Sequence, residues 1–189
     1  MGHTIVLERG HVGRTGGRPS ATHGELVEDR LTRGYGDATE DCLRNAGHEV
    51  IVISDGTYRE RQLRASAYGA RIYVARHTNA GAHDYGACFY DHRSALGRAL
   101  AEFVVMELGR LAPLAMSGGA KAVPARPDDW TRNTFATIHH CYDRRPIGLC
   151  FEPGFIDQPA HRELWTPEGL VLVGRALATG ILTFMESAA

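Results

Sequence analysis

Arg71-Ile72-Tyr73-Val74-Ala75-Arg76-His77-Thr78-Asn79-Ala80 is the stretch that decides the fold. Apolar residues at 72 and 74 read as a short strand. It stops not in a Gly/Pro turn but in His-x-Asn-Ala, which sets an imidazole at the carboxyl edge of a sheet. In open α/β sheets that edge is where ligands and metals bind. On its N-terminal side the stretch follows Tyr58 to Tyr68, a short charged helix ended by Gly69, and the strand Val50-Ile51-Val52-Ile53. On its C-terminal side come a small-residue loop and a further strand at Ala87-Cys88-Phe89-Tyr90.

The same alternation extends to both ends. Thr4-Ile5-Val6-Leu7 is a first strand, running into Glu8-Arg9-Gly10-His11. After a polar loop at 12–24, a helix is expected from about Glu25 to Ala46, with Leu31, Tyr35, Ala38, Cys42 and Ala46 as its buried stripe. Gly34 and Gly36 weaken it, since an interior glycine costs about 1 kcal/mol against alanine. Ser94 caps a long helix through Leu111, with Leu96, Leu100, Phe103, Val104 and Leu111 on its apolar side. Residues 113–133 read as surface loop with one short strand near Ala122-Val123, and Phe135 to Tyr142 as a helical turn. Ile147 to Phe151 is a buried strand leading into Glu152-Pro153-Gly154-Phe155, and a last helix starts at Thr166-Pro167-Glu168. The pattern predicts one α/β domain over 1–189: three layers, with a twisted, mostly parallel sheet of about six strands between helices.

Composition excludes several classes. Across 189 residues, 43% apolar and 23% charged is ordinary for a globular chain, and a formal net charge of −1 recruits neither nucleic acid nor an anionic membrane. No apolar run reaches membrane-span length and no leader opens the chain, so synthesis in the cytoplasm without a signal peptide is expected. Four cysteines without a C-x-x-C pair argue against a zinc knot or a disulfide framework.

Three strands end in a reactive residue: His11, His77 and Glu152. Parallel strands bring their carboxyl ends together, and two imidazoles plus a carboxylate around an open position is the composition of a catalytic zinc site. The carboxylate is either Glu152 itself or an acid opening the long helix, Glu25 or Glu28. In the second case Glu152 is left for proton transfer. Each residue alone is weak evidence, since a lone histidine is more often a capped loop residue or core hydrogen-bonder than a ligand. His139 and His140, adjacent on a helical turn, are expected to point in different directions and do not easily chelate one ion together. His3, His23, His48, His83, His92 and His161 sit in polar or terminal contexts. Cys150 reads as a small apolar group, with a Cys-His nucleophile pair as the competing arrangement. Arg59-Glu60-Arg61 reads as a solvated helix face.

Taken in order, Ile5 to His11, Leu43 to Val50, Arg61 to Ala65, Val74 to Ala80 and Glu152 to Ile156 resemble the zinc-dependent N-acetylmuramoyl-L-alanine amidases of the Amidase_3 family, the phage endolysin type included. The resemblance covers nearly the whole chain. It implies zinc held by His11, His77 and a helix glutamate, with Glu152 as catalyst. Glu28, followed by Asp29-Arg30-Leu31, matches the family's helix ligand better than Glu25, which is the runner-up. It also implies a peptidoglycan substrate, cleaved between N-acetylmuramic acid and L-alanine, and action on the bacterial cell wall. A monomer without nucleic-acid or membrane partners is expected. The alternatives are a zinc carboxypeptidase or other amidohydrolase, or a non-catalytic wall-binding relative. Two features depart from the pattern. Arg9 and Arg76 flank the site, where a cation weakens metal binding unless it points away or faces a substrate carboxylate. The 124–145 insertion, with Trp130, reads as a candidate specificity loop.

Overall fold

The computed structural model describes residues 2–10, 21–142 and 145–187. In chain order the elements are β1 (Thr4–Arg9), β2 (Thr22–His23), β3 (Leu26–Val27), α1 (Glu28–Asn45), β4 (Glu49–Ile53), α2 (Tyr58–Ala67), β5 (Ile72–Arg76) and β6 (Gly86–Asp91). There follow α3 (Ala95–Leu108), α4 (Ala112–Ala115), β7 (Ala120–Ala125), α5 (Arg132–Ala136), β8 (Ile147–Glu152) and α6 (Pro167–Ser187). Six strands form one sheet in the order β4-β1-β5-β8-β6-β7, and β2 pairs with β3 as a separate small hairpin. All sheet pairings are parallel except β6 against β8. The carboxyl ends of β4, β1, β5 and β8 therefore share one edge.

Strand alternation builds two cores. Ile5, Leu7, Ile72, Val74, Leu149 and Phe151 face α1, α3 and α6, meeting Leu31, Tyr35, Leu100, Val104, Val173 and Ile181. Val6, Tyr73, Ala75, Phe89 and Cys150 face the other way, toward Ala65 of α2 and toward Ile138 and Cys141. This is the expected three-layer α/β arrangement.

Several elements differ from expectation. The buried residues of α1 are Leu31, Thr32, Tyr35, Gly36, Thr39 and Leu43, beside Glu28, whereas Ala46 is exposed. The stripe is rotated because α1 packs on α6 as well as on the sheet: the Thr39 hydroxyl lies 2.9 Å from the Tyr35 carbonyl and 3.1 Å from that of Gly174. In α3 the buried positions are Gly97, Leu100, Ala101, Val104 and Leu108, and Leu96 is exposed. The 113–133 segment is more ordered than a loop, since it holds α4 and an edge strand of the sheet. The 124–145 stretch, apart from residues 143–144 outside the described set, covers the second sheet face. Gln62 of α2 fastens it, donating to the Ala136 carbonyl (3.1 Å) and accepting the His140 N–H (2.8 Å).

The last helix also requires a correction. α6 is long and apolar enough to cross a membrane, by length and composition. About half of that apolar stretch is buried in the fold, where Val173, Leu177, Ile181 and Phe184 belong to the main core, while Val171 and Leu172 are exposed.

Candidate metal centre

The ends of β1, β5 and β8 continue to pair beyond the regular sheet. The Gly10 N–H donates to the Arg76 carbonyl (3.1 Å) and the His77 N–H to that of Phe151 (2.9 Å). Further on, the Asn79 N–H donates to Gly154 (3.0 Å) and the Ile156 N–H to Asn79 (2.8 Å). A side chain at position 10 would stand 2.5 Å from the Arg76 carbonyl oxygen and 2.7 Å from the His77 ring, so only glycine lets β1 leave the sheet here.

His77 is buried at this edge, and its Nδ1 lies 3.2 Å from Glu28 Oε1. The Glu28 carboxylate also accepts the Thr78 N–H (3.0 Å) and the Ala21 N–H (3.1 Å), so the first residue of α1 is tied to the end of β5. The Tyr35 hydroxyl, one further turn pair along α1, donates to the His77 carbonyl at 2.8 Å. Burial pushes the His77 imidazole down, but the Glu28 hydrogen bond, then Glu8 and the other carboxylates, hold it above its ordinary value.

Glu152 ends β8, half-buried, on the strand next to the one that ends in His77. Burial raises its carboxyl to about 7; the His77 charge opposes the rise, and the Glu28 charge adds to it. The Asn79 side chain also lies against this carboxyl and favours its ionised form. A carboxyl near neutrality can both take and give a proton at physiological pH.

The structure thus brings together Glu28, His77 and Glu152. Glu25 is exposed in the β2–β3 hairpin. His11 lies outside the described residues. Among the described residues, no three His, Cys, Asp or Glu side chains close on a single point as a metal site.

The reading of one arginine changes, and that of another is narrowed to one of its alternatives. Arg61 is not solvated but fully buried. It is ion-paired to Glu8 and donates to the carbonyls of Ser54 (2.8 Å), Gly56 (3.1 Å), Asp55 (3.2 Å) and Arg9 (3.2 Å). Its neighbour Glu60 serves the capping box of α2 with Thr57. Glu8 in turn stands 3.8 Å from His77 Nε2. Arg76 points away from the site, beneath α1, with Nη1 3.5 Å from Glu40 Oε1 and its Nε donating to the Glu8 carbonyl (3.3 Å). The absent side chain of Gly36 makes that room, since a Cβ there would stand 2.7 Å from the Arg76 guanidinium carbon.

Sequence reasoning also passed over His161. It is fully buried, and its Nδ1 accepts the Phe155 N–H at 3.0 Å, which holds the turn after Glu152. Cys150 is buried beside Glu152, and burial pushes its thiol well above the usual range, Glu152 adding to the effect. That disfavours the thiolate a Cys-His nucleophile pair needs. His139 and His140 do not diverge as expected: their ring centroids are 3.7 Å apart, on the face of the sheet that α2 covers.

Over nearly its whole length the chain is similar to the CwlD amidase of Clostridioides difficile, solved with the GerS lipoprotein, at a TM-score of 0.78 and 19% identity over 98% of this chain and 99% of that one. The fold is that of the N-acetylmuramoyl-L-alanine amidases. The amidase Ami1 of Mycobacterium smegmatis is equally similar, at a TM-score of 0.78 and 18% identity over 98% of both chains. The catalytic domain of the CD27L endolysin, directed at Clostridia difficile, has a TM-score of 0.70 and 18% identity over 96% of this chain and 97% of that one. No protein-family model matches the sequence. Nor does any curated protein match it by sequence.

Proposed function

We propose that this protein is a zinc-dependent N-acetylmuramoyl-L-alanine amidase that hydrolyses the bond between the lactyl group of muramic acid and L-alanine in peptidoglycan, acting as a monomer in the manner of a lysin. The observation that carries the reading is the Glu28–His77 pair, fixed at the carboxyl edge of an amidase fold with Glu152 beside it.

The donor chemistry fits zinc. An imidazole and a carboxylate meet at a buried edge, and a second carboxylate, Glu152, is close enough to interact with both. Glu8, the third acid near the imidazole, is neutralised by Arg61 and is not needed as a ligand. In this reading His77, Glu28 and His11 hold the metal. Zinc, when bound, supplies Lewis acidity for the amide carbonyl and brings the pKa of a water down to about 7.

The chain's own residues do the rest. The Glu152 carboxylate takes a proton from the attacking water and delivers it to the departing L-alanine nitrogen. Asn79 lies against that carboxyl and orients it, and the Asn79–Phe155 bridge keeps the two loops from separating. The Glu28 carboxylate, held by the Ala21 and Thr78 amides, fixes the imidazole plane.

The test uses purified cell walls with wild type, chelator-treated protein and Glu152→Gln, with metal content measured in parallel. The expected result is release of L-alanine amino termini by the wild type and loss of that release on chelation. Glu152→Gln is expected to keep about one zinc per chain and lose activity by at least a hundredfold. Bound zinc with intact walls would redirect the substrate to another amide, as in a carboxypeptidase. Activity that survives chelation would overturn the mechanism.

A further inference from the structure

A cavity of about 650 Å³ opens at the opposite edge of the sheet from the candidate centre. Thr4 opens β1, Arg71 stands directly before β5 and Ile147 opens β8, and all three line it. His77 and Glu152 stand at the far ends of β5 and β8. The two sites are therefore separated by the 5 residues of β5, roughly 16 Å of extended chain. The antiparallel strand β6 brings its last residue, Asp91, to this edge, and α3 starts close behind it, with Ser94, Ala95 and Leu96 on the cavity wall.

The cavity is cationic. Asp91 is the one acid among the described residues that line it, and Arg93 already neutralises it, Nε and Nη2 donating to its two oxygens at 2.9 and 2.6 Å. The Arg93 guanidinium also lies 4.1 Å from the centre of the Tyr142 ring, so this pair is a fixed part of the wall. Arg71 and Arg145 line the same cavity and enter no ion pair with an acid among the described residues. The backbone of Arg71 is pinned between two strands, its N–H donating to the Thr4 carbonyl (2.8 Å) and its carbonyl accepting the Ile147 N–H (2.9 Å). Its Nη1 lies 2.7 Å from His3 Nε2. A guanidinium only donates, so this imidazole accepts and carries no charge of its own. Burial, then the Arg71 charge, pushes the His3 imidazole below its ordinary value. The 14-residue helix α3 adds the positive end of its dipole, with no acid in its first turn. The remaining walls include Ile138, Pro146, Ile147 and Phe184.

We infer that this cavity binds an organic phosphate with an apolar or aromatic body, its phosphate drawn to Arg71, Arg145 and the first turn of α3. Two guanidiniums and a helix N-terminus within one cavity suit a dianion with several acceptor oxygens. The apolar walls, and a volume in the range of small-molecule sites, suit a body that inorganic phosphate lacks. The site uses none of the residues of the candidate centre and stands or falls independently of the amidase reading.

The experiment measures binding of phenyl phosphate, inorganic phosphate and benzyl alcohol by calorimetry. It uses the wild type, Arg71→Gln, Arg145→Gln, Leu96→Glu and the control Arg110→Gln. Wild type and control are expected to bind phenyl phosphate at least about tenfold more tightly than either fragment, because head and body are both recognised. Each of Arg71→Gln and Arg145→Gln is expected to weaken it about fivefold, the size of an ion pair open to solvent. Leu96 is exposed on the cavity wall, and a glutamate there complements the helix dipole. Leu96→Glu is therefore expected to keep or raise Tm while weakening phenyl phosphate binding, a pairing that damage to the fold does not produce. Binding is also expected to survive chelation. No saturable binding of phenyl phosphate, equal affinity for inorganic phosphate, or unchanged affinity in either arginine variant would overturn the proposal. Loss of binding on chelation would move the anion to the candidate centre and overturn it as well.

Discussion

Replacing Arg61 by methionine tests whether the arginine behind the site is a structural keystone or a solvated surface charge. The guanidinium is fully buried, ion-paired to a fully buried Glu8, and hydrogen-bonded to four carbonyls of the β1 and β4 ends. Methionine fills much of the volume but leaves the Glu8 carboxylate in a low-dielectric site without its counter-charge. Removing one partner of such a pair costs about 3–5 kcal/mol, because the remaining charge is stranded. Against a total stability of about 5–15 kcal/mol that is a large fraction, and for a chain of this size it lowers Tm by roughly 6–20 °C. Adding Glu8→Gln to Arg61→Met removes the stranded charge, so the double variant is expected to be more stable than the single one. Urea unfolding of wild type, both singles and the double closes the cycle. An Arg61→Met protein within 1 kcal/mol of wild type, or one that Glu8→Gln destabilises further, would refute the assignment of Arg61.

Two further outcomes follow from the packing and the acids. Gly174→Ala gains about 1 kcal/mol in helix propensity, yet the new methyl overlaps the Tyr35 carbonyl oxygen and lies 2.8 Å from the Ala38 Cβ. Overpacking costs about 1–3 kcal/mol and the strained Thr39–Gly174 hydrogen bond about 1 more, so a Tm several degrees lower is expected and a higher one would contradict the close α1–α6 crossing. The second concerns Glu152 in metal-stripped protein. Its folded value of about 7 lies above its ordinary 4.5, so the native state holds a proton that the unfolded chain has released. Its contribution is therefore undiminished below pH 4.5, declines as pH rises to 7, and above that becomes a penalty of roughly 3 kcal/mol. Glu152→Gln should match wild type in urea at pH 4.5 and exceed it at pH 8; equal stabilities at both would contradict the raised carboxyl.

The strands and the residues that follow them were legible because those signals are local, whereas the order β4-β1-β5-β8-β6-β7 is set by pairing between distant segments and could not be read. Alternation in 72–76 and 147–151, and the residues directly after each strand, need no partner to be read. Glu28 was separable from Glu25 only through the resemblance, by its neighbours and its distance to the Gly47 turn, and the structure gives the physical difference: one opens α1 against His77 and the other lies in a hairpin. Arg61 was misread for a sound reason. A buried charge is unfavourable unless paired, and the partner of Arg61, Glu8, lies on strand β1, 53 residues away. His161 carried no signal of its own, since what defines it is an acceptor aimed at the Phe155 amide.

The glycines of α1 show the same limit from the other side. By propensity Gly34 and Gly36 weaken the helix that must carry Glu28. In the fold Gly36 leaves the space into which Arg76 turns, and Arg76 is the residue immediately before His77. A larger residue at 36 would collide with that guanidinium and displace it from beneath α1. The local loss in helix propensity thus keeps a positive charge on the far side of the strand from the candidate metal. That separation answers the objection the sequence itself raised, an arginine next to a metal ligand. It also makes the position of Arg76, rather than its presence, the feature on which a dication bound at this edge would depend.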